Sequence, residues 1–91
     1  GDDKLKILLT PGHSPASICF YCIAQNFIIS GDVLFYESIG RYDLPGGNER
    51  QLYNSIKEKL YSLPDETIVY PGHGEPTTIA HEKKHNPFVH V

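Results

Sequence analysis

The segment 17-SICFYCIAQNFIISGD-32 decides the fold of this chain. Its first part is rich in aromatic and β-branched residues, and its second part, Phe27 to Ser30, is largely apolar, so both parts predict β-strands. Gln25-Asn26 lies between them and is typical of a hairpin turn. The continuous apolar character of the second strand indicates that it is covered on both faces. Asp32 follows this strand directly, at a position where functional loops converge in layered α/β proteins.

Two further strands are predicted outside this segment. Lys6–Leu9 is a short apolar run that stops at Pro11-Gly12, and Thr67–Tyr70 is a similar run that stops at Pro71-Gly72. A proline cannot donate to a sheet ladder, so a strand that meets Pro-Gly ends there and leads into a turn. The sequence therefore repeats one local design, a strand followed by Pro-Gly.

Two helices complete the predicted elements. Asn48 can cap a helix that runs through Leu63, because apolar residues recur on one side of it at spacings of three and four. Thr77 or Thr78 can cap a second helix that runs to about His85, before Asn86-Pro87. Residues 33–48, between the strand that ends before Asp32 and the first helix, predict a long loop, of the kind that often lines a binding site. This order predicts an α/β fold, a mostly antiparallel or mixed sheet with helices on one face.

Composition excludes two classes of partner. The chain has 91 residues and a formal net charge of -3, with dispersed lysine and arginine residues, which argues against nucleic acid as a partner. Its longest apolar runs are strand-sized, whereas a membrane span needs roughly 18 residues or more. The length is also below the roughly 100 to 150 residues of a typical domain, so residues 1–91 are expected to be a small domain or part of a larger one.

Cys19 and Cys22 are spaced as C-x-x-C, but on a predicted strand. Side chains three positions apart on a strand face opposite sides, so the two thiols are expected to diverge rather than share a metal ion or a disulfide. We expect two small buried thiols in a reducing compartment, which favours a cytoplasmic location.

The side chains best suited to bind a metal ion follow three of the strands. They are His13, Asp32 and His73, each in a glycine-containing turn. Two imidazoles and a carboxylate are a reasonable ligand set for zinc, iron or manganese. A carboxylate can bridge two cations, whereas each imidazole nitrogen serves one, so the set suits part of a two-metal site. Each residue alone is more often an ordinary turn residue; the repetition of the turn is what favours a metal site.

These turns carry a family resemblance. The sequences 10-TPGHSPAS-17, 29-ISGDVLF-35 and 70-YPGHG-74 resemble the third, fourth and fifth metal motifs of the metallo-beta-lactamase-fold hydrolases, in order and at fitting distances. The segments 38-SIGRYDLPGG-47 and 85-HNPF-88 are similar to the short glyoxalase II-like, or hydroxyacylglutathione hydrolase-like, subgroup. The resemblance covers nearly the whole chain.

The resemblance implies a set of roles. His13 would complete the three histidines of a first metal, His73 would serve a second, and Asp32 would bridge the two ions. The cofactors would be two divalent metal ions, with zinc as the default and iron or manganese as alternatives. The implied reaction is hydrolysis of a small-molecule thioester by a hydroxide held between the metals, with Asp32 as the catalytic residue. Arg41 and Tyr42 would bind the substrate, although a loop Arg tied to a local carboxylate is the alternative for Arg41.

The first motif of that family, His-x-His-x-Asp-His, is absent from the sequence. The resemblance therefore identifies residues 1–91 with the second half of an αββα sandwich. We expect the 91 residues alone to be inactive. The open side of the sheet would be covered by the N-terminal half of the same domain or by a second copy of the chain.

Two other functions remain open from the sequence. One is a non-catalytic half-fold that acts as an interaction module, since exposed apolar sheet faces tend to associate with other protein surfaces. The other is an enzyme similar to the persulfide dioxygenases, with one iron on the same scaffold, in which Asp32 remains a ligand and His73 need not. His81 and His85 are spaced i, i+4 on the second predicted helix, but the family pattern gives them no ligand role.

Overall fold

The structure is a computed structural model, and it describes residues 5–90. The strands are β1 (Leu5–Leu9), β2 (Ile18–Cys22), β3 (Phe27–Gly31), β4 (Leu34–Phe35), β5 (Ser38–Ile39), β6 (Ile68–Pro71) and β7 (Thr77–Thr78). The main sheet has five strands in the order β1-β2-β3-β6-β7, and β4 pairs with β5 in a separate two-stranded hairpin.

The helices are α1 (Glu49–Ser55) and α2 (Ile79–His85), and a π-helical segment, Ile56–Leu60, continues α1. Asn48 caps α1 as predicted, since its side chain accepts a hydrogen bond from the Gln51 amide at 2.9 Å. The prediction of one regular helix to Leu63 was only partly correct. Regular α-helix ends at Ser55, and the Tyr61 amide donates to the Ile56 carbonyl at 2.8 Å, the longer spacing of a π-turn.

The sheet topology brings the three predicted turns to one edge. Antiparallel pairing of β1 with β2 and of β2 with β3 makes β1 and β3 run in the same direction, and β6 pairs with β3 in parallel. The carboxyl ends of these three strands therefore meet at the same edge of the sheet. His13 follows β1, Asp32 follows β3 and His73 follows β6, so all three lie in loops that leave this edge.

One face of the sheet packs against the helices. Strand residues on this face, such as Cys19, Ile28 and Val69, form one fully buried core with apolar residues of α1, the π-helical segment and α2 (Leu52, Ile56, Leu60 and Ile79). The predicted helical stripe therefore lies in the core, and the helices lie on one face of a mixed, mostly antiparallel sheet. Both predictions are confirmed.

The other face of the sheet, which we call the open face, carries large apolar side chains. Ile7 is paired with Phe20, Phe20 with Ile29, and Ile29 with Tyr70, so these four side chains form a row across the strands. Ile7 is 59% exposed, and Ile29 and Tyr70 are also exposed. Within residues 5–90 only the Ile28 face of β3 is covered, so the predicted cover of its second face would have to come from outside these residues.

Three smaller predictions can be compared with the structure. Cys19 and Cys22 are both buried and free, and they lie on opposite faces of β2, as expected from strand alternation. Residues 33–48 are not a continuous loop, because the β4–β5 hairpin occupies part of them. Within the described part of the chain, no helix has the length and apolar character needed to cross a membrane.

Candidate functional site

A cavity of about 620 Å³ lies at the sheet edge where β1, β3 and β6 end. His13, Asp32 and His73 all line it, so the structure brings the three predicted metal ligands into one pocket. The other lining residues come mainly from the β4–β5 hairpin and the loops beside it: Phe35, Tyr36, Ser38, Ile39, Gly40, Arg41, Gly74 and Glu75. The pocket therefore combines metal-capable side chains with partly apolar walls.

The ring of His13 is held in a defined orientation. Its Nδ1 lies 2.9 Å from the carbonyl oxygen of Arg41. A carbonyl oxygen can only accept a hydrogen bond, so Nδ1 is the nitrogen that carries the proton. The other ring nitrogen, Nε2, points toward Asp32 and is the atom that can bind a metal. Histidines that bind metals are commonly oriented by this kind of bond from the other ring nitrogen to a carbonyl.

The separation between His13 and Asp32 suits a shared cation. His13 Nε2 lies 3.8 Å from Asp32 Oδ2, beyond the length of a direct hydrogen bond. Zinc binds histidine nitrogen and carboxylate oxygen at about 2.1 Å, so two such bonds can span up to about 4.2 Å. The pair therefore fits part of a divalent metal site.

The donor set is nevertheless incomplete within this part of the chain. Among residues 5–90, no three His, Cys, Asp or Glu side chains are arranged closely enough to hold a metal ion. His73 lines the pocket, but its exposed ring stacks on Phe35 with ring centroids 4.5 Å apart. A closed metal site at His13 and Asp32 would require additional ligands.

The turns that carry Asp32 and His73 are joined directly. The amide of Gly72 donates a hydrogen bond to the carbonyl of Gly31 at 2.7 Å. This bond continues the parallel pairing of β3 with β6 past the end of the strands and fixes the two turns side by side. Asp32 and His73 each follow one of the bonded glycines, so their backbone positions are coupled.

Buried polar groups support the strand ends beneath the pocket. The Cys19 thiol lies 3.4 Å from Thr10 Oγ1, and it donates to the Ser30 carbonyl at 3.8 Å. Thr10 and Ser30 are fully buried and directly precede the turns that carry His13 and Asp32. Burial raises the pKa of the Cys19 thiol, which keeps it protonated as a donor. The Cys19 thiol therefore links the end of the strand before His13 to the end of the strand before Asp32.

Arg41 and Tyr42, the predicted substrate-binding residues, lie in different surroundings. Arg41 lines the pocket, but its guanidinium donates two hydrogen bonds to the Asp43 carboxylate, both at 3.2 Å. This pairing lowers the pKa of Asp43. Tyr42 is half-buried, packs against the core and is not among the described residues that line the pocket. The structure thus brings Arg41, but not Tyr42, to the pocket that contains His13.

Sequence reasoning placed residues 33–48 in a loop of the kind that often lines a binding site, but it did not identify Phe35, Tyr36 and Ile39, which line the pocket. It also missed that the backbone carbonyl of Arg41 orients His13. A hydrogen bond from a side chain to a distant carbonyl has no sequence signature, so no pattern in the chain could have revealed it.

Comparison with known proteins gives a consistent family. The model of the metallo-beta-lactamase superfamily matches residues 1–73. The probable metallo-hydrolase YqgX of Bacillus subtilis is 49% identical over 89 residues, which cover 98% of this chain and 42% of that protein. The hydroxyacylglutathione hydrolase GloC of Haemophilus influenzae is 45% identical over 86 residues, which cover 94% of this chain and 41% of that protein.

Solved structures agree with these relatives. The B3 metallo-beta-lactamase BLEG-1 superposes with a TM-score of 0.93 at 48% identity, over 98% of this chain and 43% of that one. TTHA1623, solved in a di-iron-bound form, superposes with a TM-score of 0.90 at 48% identity, over 93% of this chain and 42% of that one. The chain thus spans about two-fifths of the length of the relatives that it matches. Its sheet edge, its pocket and its sequence together show that the chain belongs to the metallo-beta-lactamase superfamily.

Proposed function

We propose that the protein containing this chain is a metal-dependent hydrolase that cleaves a thioester, as hydroxyacylglutathione hydrolases do. The observation that carries the proposal is the orientation of His13. Its Nδ1–H is fixed on the Arg41 carbonyl, and its Nε2 faces Asp32 across 3.8 Å inside the pocket. Similarity to YqgX and GloC supports a hydrolase, and similarity to GloC supports a thioester as substrate.

His13 and Asp32 would hold one divalent ion, and Asp32 and His73 would contribute to holding a second. Bound divalent metals supply Lewis-acid polarisation of a carbonyl oxygen and lower the pKa of water. We propose zinc, and iron is the competing identity because TTHA1623 was solved in a di-iron-bound form.

The walls of the pocket would orient the substrate. Phe35, Tyr36 and Ile39 present apolar surface that can bury an acyl group and exclude water from the thioester. Asp43 occupies only the Nε and Nη2 edge of the Arg41 guanidinium, so Arg41 would contact an anionic part of the thiol carrier through its remaining donors. Tyr42 would act as a packing residue that supports the Arg41 loop, rather than as a direct contact to the acyl group.

The open face would be covered by the rest of the same domain, because the matched relatives are more than twice as long as the matched segment. That remainder would also supply the missing metal ligands. We therefore propose that residues 1–91 alone do not hydrolyse thioesters. An interaction module without catalysis is the alternative, and metal content separates the two.

The decisive experiment uses the complete polypeptide. We expect it to bind divalent metal, measured by inductively coupled plasma mass spectrometry, and to hydrolyse S-lactoylglutathione. His13→Ala and Asp32→Ala should each lower kcat/KM by about 100-fold or more and reduce the bound metal, because each removes a ligand. His85→Ala is the matched control, since it removes a histidine from α2 outside the pocket.

Full activity in metal-free protein would contradict the proposed chemistry. Metal binding that depends on His13 and Asp32, without hydrolysis of any thioester, would retain the metal centre but overturn the substrate. A monodisperse complete protein that binds no metal would instead support the interaction module.

A further inference from the structure

Glu82 is a fully buried carboxylate that no part of the proposed chemistry uses. It lies in α2 and is not among the described residues that line the cavity. Burying a carboxylate is costly unless its oxygens receive hydrogen bonds, so its partners indicate what it does.

Three neutral donors satisfy Glu82. Its Oε1 accepts from the Glu37 backbone amide at 2.9 Å and from Asn86 Nδ2 at 2.8 Å. Its Oε2 accepts from Thr77 Oγ1 at 2.7 Å. One oxygen therefore connects α2 to the tip of the β4–β5 hairpin, and the other connects it to β7 of the main sheet.

The hairpin tip is held at several neighbouring points. Asn86 Nδ2 also donates to the Ser38 carbonyl at 3.1 Å. His81 Nε2 lies 2.8 Å from Glu37 Oε2, and the His81 ring stacks on Tyr36 with centroids 5.1 Å apart. Glu37 itself has a positive φ of 53°. A non-glycine residue in that conformation persists where its surroundings fix it, and Glu82 supplies the buried partner of its amide.

The same hairpin also forms one wall of the pocket. Phe35, Tyr36 and Ser38 line the cavity, and Phe35 stacks on His73. A shift of the hairpin tip would move these side chains relative to His13 and Asp32. The position of the wall therefore depends on contacts made from α2, outside the cavity.

We propose that Glu82, together with Asn86, is a positioning residue that holds the β4–β5 hairpin against α2 and so sets the wall of the pocket over His73. The effect of this role on kinetics rests on the proposed function, because it is measured with a thioester substrate. Its structural consequence, a protected Glu37 amide, can be measured without any activity.

The test measures hydrogen exchange at the Glu37 amide by nuclear magnetic resonance in the complete polypeptide. Glu82→Ala should make this amide exchange about tenfold faster or more, because its acceptor is lost. Glu82→Gln should keep wild-type protection. Its Oε1 can still accept from Glu37 and Asn86, and its amide can donate to the Thr77 hydroxyl, which also accepts.

Thr77→Val is the matched control. It removes the donor to Oε2 and leaves the Oε1 contacts of Glu82 in place. We expect it to lower overall stability without changing the exchange of the Glu37 amide.

If Glu82→Ala does not fold, Glu82→Asp takes its place, because the shorter side chain withdraws its carboxylate from the Glu37 amide.

The kinetic readout is the split between KM and kcat. With a thioester substrate, Glu82→Ala should raise KM by about tenfold and change kcat much less, since the wall contacts substrate but makes no bond to the reacting atoms. Glu82→Gln should restore the wild-type KM.

An unprotected Glu37 amide in the wild-type protein would overturn the role. Equally faster exchange of this amide in Thr77→Val and Glu82→Ala would also overturn it. If the wild-type protein hydrolyses no thioester, the proposed function fails, and the exchange data still decide this inference.

Discussion

Gly12 fixes the turn of His13 onto the first helix. It has a φ of 135°, and a Cβ at this position would collide with the backbone of Leu52 in α1. Its carbonyl accepts a hydrogen bond from the Asn48 amide at 2.7 Å, and the Ser55 hydroxyl donates to the Pro11 carbonyl at 2.7 Å. The imidazole is thus attached to a turn that two ends of the same helix hold in place.

We therefore expect Gly12→Ala to be strongly destabilising, by about 2 to 4 kcal/mol, because it combines an unfavourable φ with a backbone collision. Urea denaturation followed by circular dichroism measures the loss. Gly74→Ala is the matched control: Gly74 has a φ of 82°, but a Cβ there meets nothing within 4 Å. It should cost about 1 to 2 kcal/mol. Equal losses in the two variants would show that the collision is relieved.

The site residues differed in how visible they were from sequence. His13, Asp32 and His73 stood out because a glycine-containing turn at a strand end repeats three times, and the structure places all three in one pocket. Glu82 did not stand out, since a glutamate beside His81 and Lys83 on a helix usually faces solvent. Only the tertiary fold shows that this side chain is fully buried.

The contact between the β4–β5 hairpin and α2 includes an ionisable pair. His81 Nε2 lies 2.8 Å from Glu37 Oε2, and both side chains are partly exposed. The hydrogen bond from His81 holds the pKa of the Glu37 carboxyl below its ordinary value. A carboxyl with a lowered pKa contributes stability that is fully present above its unfolded pKa.

This pair makes the hairpin sensitive to acid. The contribution of Glu37 should be complete above pH about 4.3, the ordinary value for a glutamate, and it should be lost as the pH falls through the lowered pKa. We expect the difference in stability between the wild type and Glu37→Gln to shrink over that range. Thermal unfolding from pH 3 to pH 7 measures it. A difference that stays constant with pH would show that the carboxyl has no lowered pKa.

Long elements were more predictable than short ones. Strands β1, β2, β3 and β6 follow from apolar runs, and α2 follows from its Thr78 cap and its end at His85, because these signals lie within a few residues. The two-residue strands β4, β5 and β7 were not predicted, since they are too short to show alternation. The π-helical segment keeps the same apolar spacing as an α-helix, so sequence could not distinguish it.

The open face gives the isolated chain a tendency to associate. Large apolar residues stand exposed in adjacent strands, and contiguous apolar patches favour association. We expect residues 1–91 alone to form dimers or larger species in light scattering, and Ile29→Lys, at the centre of the row, to shift them toward monomer. Lys84→Glu, which changes an exposed charge on α2, should have no such effect. A wild-type chain that stays monomeric at high concentration would contradict this expectation.

The parallel pairing of β3 with β6 also determines when the pocket can exist during folding. A turn of a few residues joins β2 to β3, whereas Ile28 pairs with Val69 across the intervening hairpin, helix and loops. Distant pairings carry a larger loop-closure entropy and form later than local ones. Until β6 docks, Asp32 and His73 belong to separate parts of the chain. If Asp32 and His73 bind metal as proposed, both can do so only late in folding, and earlier a metal ion would meet only single, separated donors.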